Sequence, residues 1–258
     1  MKVLILLPAS DYDPTESAVP WHSLSTNQFH ITFSTPKGEI AHADERLVSK
    51  GFSCLSPIFM TRKVDLKKYS LMLTSMRYSQ VIAYSDVEPS NYDALFIPGG
   101  HAQGVKSLLE SKEASQICSH FMDNEKPVGA ICHGVLLLAR SKSQNGQSLL
   151  QGRTTTALTN LQEIPAWLIT FPWLGRYYRT YKMTVENEVR NALGHSGKFL
   201  RGIPFPVRDS ESNTSHGFTV LDRNYLSARW PGDCNLFAKE FITLLNTYKA
   251  NILSNKSK

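Results

Sequence analysis

The stretch PVGAICHGVLLLAR, residues 127–140, decides the fold of this chain of 258 residues. Its apolar beginning, residues 127–131, predicts a buried strand, and residues 134–140 have the composition of a short helix. Cys132 and His133 lie between the two, where the strand gives way to the helix. A buried strand that turns at once into a helix is typical of an α/β protein with a parallel sheet.

The rest of the chain alternates between strand and helix patterns. Further predicted strands cover residues 3–7, 29–34, 92–98, 153–158, 218–221 and 225–228. Further predicted helices cover residues 16–26, 66–79, 182–193 and 235–248, with one or two more within 105–124. This alternation predicts a mostly parallel sheet with helices on both faces, formed by a single domain over residues 1–258. An irregular stretch at about 165–215, crowded with aromatic residues and proline in its first part, is predicted to be an elaboration near the functional site.

Composition and charge narrow the class of protein. Hydrophobic residues make up 41% of the chain and charged residues 19%, which is typical of a globular protein. No apolar run approaches the roughly 20 residues of a membrane-spanning helix, and the first apolar run stops at Pro8, which favours a buried first strand over a signal peptide. The net charge is +6, but the basic residues are scattered, so we expect an ordinary solvated surface and no nucleic-acid partner.

Four cysteines lie far apart in the chain, at positions 54, 118, 132 and 234, and none forms a CxxC pair. Reduced thiols in a cytoplasmic protein fit this usage best, because a core of this size does not need disulfide bonds. No clustered spacing of histidine, cysteine and carboxylate residues points to a metal site, and we expect no cofactor.

Three motifs follow predicted strands. They are residues 13–16 after the first strand, the Pro-Gly-Gly-His sequence at 98–101, and the Ile-Cys-His-Gly sequence at 131–134. In open α/β sheets ligands bind beyond the carboxyl ends of the strands, so one pocket could receive all three motifs.

Cys132 is the strongest candidate for chemistry. The sharp turn between strand and helix resembles the nucleophile turn of α/β hydrolases, and a helix N-terminus aimed at the sulfur would favour the thiolate. The alternative, a buried and inert cysteine, is kept for Cys54, Cys118 and Cys234. The Gly99-Gly100 pair and the amide of His133 could form an oxyanion hole, although a glycine pair alone usually marks a turn.

The three motifs in this order resemble the ThiJ/PfpI superfamily of class I glutamine-amidotransferase-like proteins. The resemblance covers roughly residues 2–248 and implies a flavodoxin-like three-layer sandwich and a homodimer. It implies Cys132 as the nucleophile, His133 as its neighbouring base and Glu16 as the acid that hydrogen-bonds the sulfur. It also implies Gly100 and the amide of His133 as oxyanion donors. On the residues alone, Glu16 could simply support a helix start.

The pattern is nearest to the heat-shock chaperone and glyoxalase III branch of that superfamily. There an acidic residue about 30 positions past the cysteine orients the histidine, and Glu163 occupies that place here. The alternative for Glu163 is a solvated carboxylate on a loop. No late His-x-Glu pair is present, which argues against ammonia-channelling synthesis.

Four further residues are expected to contact the substrate. Gly99 and His101 belong to the glycine loop, and Arg176 and Arg179 could bind a substrate carboxylate unless they are ordinary residues on a helix surface.

Two classes of function follow from the resemblance. The first is an enzyme with a cysteine nucleophile that acts on a small carbonyl substrate or a peptide. It would be an amidase-like or protease-like hydrolase, or a glutathione-independent glyoxalase that converts a 2-oxoaldehyde to a 2-hydroxy acid. The second is a non-catalytic stress protein, either a redox sensor or a holdase chaperone, that uses the reactive Cys132. Cysteine-dependent turnover distinguishes the two.

Overall fold

The computed structural model describes residues 1–203 and 207–256. The strands are β1 (Lys2–Leu6), β2 (Ser10–Tyr12), β3 (His30–Thr35), β4 (His42–Ala43), β5 (Ile82–Ala83), β6 (Ala94–Ile97), β7 (Val128–Ile131), β8 (Thr154–Thr155), β9 (Lys198–Phe199), β10 (Thr219–Asp222) and β11 (Tyr225–Ala228). The helices are α1 (Pro14–Thr26), α2 (Ser56–Phe59), α3 (Lys63–Leu73), α4 (Met76–Ser79), α5 (Lys106–Leu109), α6 (Lys112–Asp123), α7 (Gly134–Arg140), α8 (Asn160–Leu174), α9 (Val185–Leu193) and α10 (Cys234–Lys256).

A seven-stranded sheet in the order β10-β11-β7-β6-β1-β3-β5 forms the centre of the molecule. All neighbouring strands run parallel except β10, which pairs antiparallel with β11. Helices surround the sheet: α1 packs against α3 and α10, and α7 packs against α6 and α9. The predicted fold class, a flavodoxin-like α/β sandwich with a mostly parallel sheet, is confirmed.

The central strands are apolar along their whole length because helices exclude water from the sheet. Every residue of β6 and β7 is buried, as is expected of parallel strands covered on both sides. Phe96 of β6 lies 5.4 Å from Phe237 of α10, measured between ring centroids. Gly129 of β7 allows this packing, because a Cβ atom there would lie only 2.7 Å from the Phe237 ring.

Three predicted elements differ from the structure. The helix predicted at 66–79 is two helices, α3 and α4, because Ser75 caps a new helix by accepting a hydrogen bond from the N–H of Tyr78. The strand predicted at 153–158 is only β8, which pairs with β9 in a separate two-stranded sheet. The irregular stretch begins as the helix α8, with a capping box between Thr159 and Gln162 and with Pro165 and Pro172 inside it.

Within residues 1–203 and 207–256, no helix is long and apolar enough to cross a membrane.

Candidate active site

Cys132 occupies a strained turn between β7 and α7. Its φ angle is +55°, a left-handed conformation that costs a residue with a side chain about 1–3 kcal/mol. The N–H of Cys132 donates to the carbonyl of Ala228 at 3.1 Å, which fixes the start of the turn. Gly134 ends the turn against β6, because a Cβ atom there would lie 2.4 Å from the carbonyl oxygen of Ile97. The sharp turn predicted from the sequence is therefore present.

The three predicted motifs meet because β1, β6 and β7 are neighbours in the sheet. The N–H of Asp13 donates to the carbonyl of Gly99 at 3.0 Å. In return, the N–H of Gly99 donates to Glu16 Oε2 at 2.8 Å. A Cβ atom at Gly99 would lie 2.8 Å from both Glu16 Oε2 and the backbone nitrogen of His133. Gly99 therefore allows the three motifs to pack together, and its N–H is engaged by Glu16 and not by the cavity.

Glu16 lies at the sulfur of Cys132. Only 1% of Glu16 is exposed, and its carboxyl group is hydrogen-bonded to the Cys132 side chain. Burial and then the neighbouring Asp13 raise the pKa of Glu16 well above its ordinary value. Burial also raises the pKa of Asp13, to about 6, against the hydrogen bonds that it accepts from the N–H groups of Thr15 and Glu16. Glu16 therefore keeps its proton to a higher pH than an ordinary carboxyl group, and in its protonated form it can donate to the sulfur.

Burial of Cys132 opposes the thiolate that the helix N-terminus was expected to favour. The side chain is 4% exposed, and burial, followed by the charges of Glu16 and Asp13, raises the pKa of the thiol well above its ordinary value. The N–H of His133 bonds to the sulfur and acts in the opposite direction, as the predicted helix-start effect would. Removal from water outweighs that single hydrogen bond, so the resting form is the thiol.

His133 is placed to take the proton of that thiol. Its Nδ1 lies 3.5 Å from the Cys132 sulfur. Burial lowers the pKa of His133 well below its ordinary value, and the cationic Arg140 and Arg179 contribute in the same direction. The ring of His101 lies 5.0 Å from that of His133, and burial lowers the pKa of His101 to about 4. Both imidazoles are therefore neutral at pH 7, as a proton acceptor must be.

Glu163 has partners other than His133. Its Oε1 accepts from Arg179 Nη1 at 2.7 Å, and its Oε2 accepts from the N–H of Val185 at 2.8 Å, where α9 begins. Among the described residues no hydrogen bond joins Glu163 to His133, so the contact that the resemblance implies is absent in this structure. The physical reason lies in the neighbouring helices: Glu163 lies in the first turn of α8, and its carboxylate binds the N–H at which α9 begins.

The two arginines of the elaboration face a different cavity. Arg176 and Arg179 line an open cavity with Lys106, Trp167 and Tyr181. Arg179 is also engaged by Glu163 and by the carbonyl of Lys182 at 2.7 Å. Neither arginine lines the Cys132 cavity, so the structure does not place them where a substrate bound at Cys132 would meet them.

The Cys132 cavity has a volume of about 430 Å³, within the range of small-molecule sites. Among the residues predicted from the sequence, it is lined by Glu16, Gly100, His101 and Cys132. Within the described residues the N–H of Gly100 has no hydrogen-bond partner, so it is free to hold a developing oxyanion. Apolar side chains form most of the remaining wall: Leu47, Phe52, Ile58, Phe59, Leu158, Leu161, Ile169 and Trp230.

Sequence reasoning missed two groups of lining residues. Leu47, Phe52, Ile58 and Phe59 belong to a segment in which the sequence predicts no element. Arg208 and Trp230 come from the irregular chain before β10 and from the turn after β11. No local pattern marks these residues, because only the tertiary fold brings them to Cys132. Among the described residues, no group of three or more histidine, cysteine or carboxylate side chains could hold a metal ion.

Comparisons with known proteins identify the family of this chain. A family model described as ThiJ/PfpI family-like matches residues 7–199. A deglycase of Thermococcus kodakarensis is 24% identical over 210 residues, covering 77% of this chain and 96% of the relative. An uncharacterised protein of Schizosaccharomyces pombe is 29% identical over 142 residues, covering 54% of this chain and only 50% of the relative.

A solved structure shares the fold. The crystal structure of glyoxalase III from Candida albicans superposes with a TM-score of 0.66 at 18% identity, covering 95% of this chain and 97% of that one. Because the family model spans well over half of the chain and includes all three motifs of the site, this protein belongs to the ThiJ/PfpI family.

Proposed function

We propose that this chain is a cysteine-dependent enzyme that converts a 2-oxoaldehyde to a 2-hydroxy acid without glutathione. One observation carries the proposal: the Cys132 thiol lies at the wall of a largely apolar cavity, between Glu16, whose pKa burial raises, and a neutral His133. Such a site supplies a nucleophile, a proton acceptor and a proton donor within reach of one carbonyl carbon. The names deglycase and glyoxalase III, given to two proteins of similar sequence or fold, support the same class of chemistry.

The reaction begins with addition of the sulfur to the aldehyde carbon. The proton of Cys132 passes to His133 Nδ1, 3.5 Å away, as the C–S bond forms and the aldehyde oxygen takes on negative charge. The protonated His133 then returns that proton to the oxygen, which becomes a hydroxyl group. The free N–H of Gly100 stabilises that oxygen while it carries negative charge. The product of this step is a hemithioacetal.

The second step moves hydrogen between neighbouring carbons. A base, either His133 or the carboxylate form of Glu16, removes the proton from the former aldehyde carbon and returns a proton to the adjacent carbon. The proton of the hemithioacetal hydroxyl group passes to the former ketone oxygen. The aldehyde carbon is oxidised to a thioester and the ketone carbon is reduced to an alcohol, so no external oxidant is needed. Water then cleaves the C–S bond, releasing the 2-hydroxy acid and restoring the thiol. The raised pKa of Glu16 suits it to exchange protons near neutral pH.

Hydrolysis of an amide or ester begins with the same attack, so it is the main alternative reaction. The discriminating experiment is a panel of 2-oxoaldehydes, esters and peptides, assayed with wild type, Cys132→Ser and Cys54→Ser. Cys54 is exposed and lies outside the cavity, so Cys54→Ser is a matched control for loss of a thiol. We expect 2-oxoaldehyde turnover by wild type and Cys54→Ser and none by Cys132→Ser. Turnover of esters or peptides alone would assign the hydrolase activity.

A non-catalytic redox sensor remains the second candidate. The hydrogen bond between Glu16 and the sulfur favours it, because a protonated carboxyl group can also stabilise an oxidised sulfur acid. The 4% exposure of Cys132 acts against rapid oxidation by solutes. A sensor would accumulate Cys132 sulfinate under peroxide, seen by mass spectrometry, while the whole panel showed no cysteine-dependent product.

A further inference from the structure

Among the described residues, Arg208 is the one cationic side chain that lines the Cys132 cavity. Its guanidinium lies 5.6 Å from the centre of the Trp230 ring, and its Nη2 donates to the carbonyl of Ile58 at 3.2 Å. Ile58 and Trp230 also line the cavity. The charged end of Arg208 is therefore held in the wall by an aromatic face and one backbone acceptor.

The other terminal nitrogen of Arg208, Nη1, lacks a hydrogen-bond partner among the described residues. Nη1 is buried and forms no hydrogen bond in the part of the chain that the structure describes, and Arg208 forms no ion pair there. A buried donor of a charged group is costly to leave unpaired, so an acceptor at this position is strongly favoured. Since Arg208 lines the cavity, a ligand in the cavity can supply that acceptor.

Nearby carboxylates are committed to other contacts. Asp13 caps α1 by accepting from two backbone N–H groups. Asp65 Oδ2 accepts from Arg62 at 2.8 Å, while Asp65 Oδ1 has no hydrogen-bond partner among the described residues and does not accept from Arg208. Asp209 accepts from Asn235 and from the N–H of Leu236. Among the described residues, none of these carboxylates forms a hydrogen bond or an ion pair with Arg208, which leaves its Nη1 available to a ligand.

We infer that the substrate is a carbonyl compound with an apolar body and a carboxylate group, and that Arg208 binds the carboxylate while Cys132 receives the carbonyl. This inference rests on the proposed function and adds the substrate class to it. The apolar wall, with Phe52, Phe59 and Trp230, fits an aromatic or aliphatic body between the two polar ends. Arginine suits this role because its planar guanidinium matches a carboxylate.

The test compares two probe pairs that differ only in the carboxylate. Turnover is measured with 4-carboxyphenylglyoxal and with phenylglyoxal, and equilibrium binding is measured by calorimetry with 4-acetylbenzoate and with acetophenone. The proteins are wild type, Arg208→Gln, Arg208→Lys and Arg176→Gln. Arg176→Gln removes the same charge from an exposed residue outside this cavity and is the matched control.

We expect wild type to prefer the carboxylated member of each pair by about tenfold or more, the scale of one hydrogen bond to a charged group. The preference should vanish in Arg208→Gln, mainly through KM, persist in Arg176→Gln, and be partly kept in Arg208→Lys, which retains the charge without the planar fork. Should Arg208→Gln fail to fold, the wild-type ratio and Arg208→Lys still decide.

Two results separate this inference from the proposed function. Turnover of both arylglyoxals without a carboxylate preference in turnover or binding overturns the inference and leaves the proposed function intact. Selective binding of 4-acetylbenzoate that depends on Arg208, without turnover of either glyoxal, supports the inference and removes the proposed function. Equal binding of the two acetyl compounds, or binding of neither, refutes the role of Arg208.

Discussion

Replacing Glu163 by glutamine tests whether this residue supports the fold or the chemistry. The side chain of Glu163 is 2% exposed and that of Arg179 is 17% exposed, so their ion pair is largely shielded from water. Glutamine keeps the shape but has one oxygen, and it must turn its NH₂ group toward either Arg179 or the N–H of Val185, both of which are donors. One charge-assisted hydrogen bond is lost at the least.

The size of the effect follows from that loss. A hydrogen bond to a charged group contributes about 1.5–3 kcal/mol, and Arg179 keeps its second acceptor, the carbonyl of Lys182, so we expect Glu163→Gln to lower the free energy of unfolding by about 2 kcal/mol. For a domain of this size that corresponds to a fall in Tm of about 4–8 °C. Because Glu163 does not touch His133, turnover at 25 °C should change by no more than about threefold, against the roughly 10²-fold or greater loss typical of removing acid–base assistance.

Thermal unfolding followed by circular dichroism and turnover of the active carbonyl substrate are measured on the same samples. Glu45→Gln is the control, because it removes a carboxylate from an exposed ion pair with Lys50 and should leave Tm unchanged. A 10²-fold loss of turnover with an unchanged Tm would refute this reasoning. It would mean that Glu163 reaches His133 during the reaction, as the family resemblance implies.

Three further predictions concern the site. In a Cys54→Ser background, Glu16→Leu should lower the pKa of Cys132, because the neighbouring Glu16 carboxyl group is one of the causes that raise it, whereas Glu16→Gln, which keeps a hydrogen-bonding group beside the sulfur, should change it less; the pH dependence of iodoacetamide alkylation measures both, and an unchanged pKa in Glu16→Leu excludes Glu16 from the site. Cys132→Gly should be more stable than Cys132→Ala by about 1 kcal/mol in urea denaturation, because glycine accepts the φ of +55° without strain, and equal stabilities would show that the turn relaxes. The pKa of Asp13 is raised from 3.8 to about 6 in the folded state, so between these pH values the folded protein binds a proton that the unfolded chain does not. Wild type should therefore lose stability as the pH rises from about 4 to about 6, and Asp13→Asn should flatten that part of the stability profile. Identical profiles for the two proteins would contradict the raised pKa.

The parts of the site that were predictable from sequence are contiguous in the chain. Each of the three motifs follows a buried strand, directly or after a few residues, and parallel strands place their carboxyl ends at one edge of the sheet. The sequence alone therefore predicts that Glu16, Gly100 and Cys132 lie close together. The protonation state of Cys132 could not be predicted in the same way. It depends on how completely the surrounding chain removes the sulfur from water, which is a property of the whole fold.

The elaboration shows a different limit. Pro165 and Pro172 argue against a helix in any local pattern, yet α8 forms because its capping box and its contacts outweigh two missing backbone donors. Arg208 belongs to no recognisable sequence motif, and it lies in a stretch without regular secondary structure. Glu163 was predicted as a site residue from its distance to Cys132 along the sequence. The direction of its side chain depends instead on α9, because its carboxylate binds the N–H of Val185, the first residue of that helix.

The two prolines of α8 have a consequence for motion. Without N–H groups at positions 165 and 172, the carbonyls of Leu161 and Leu168 lack their i+4 donors, and of the residues in α8 only Glu163 and Thr170 are buried. This wall of the cavity is therefore expected to open before the rest of the protein unfolds, and its amides should exchange with deuterium faster than those of α7 on the opposite side of Cys132. A thiol that is almost fully enclosed would then meet bulky substrates only during such openings, so the opening rate of α8 would set the ceiling on turnover.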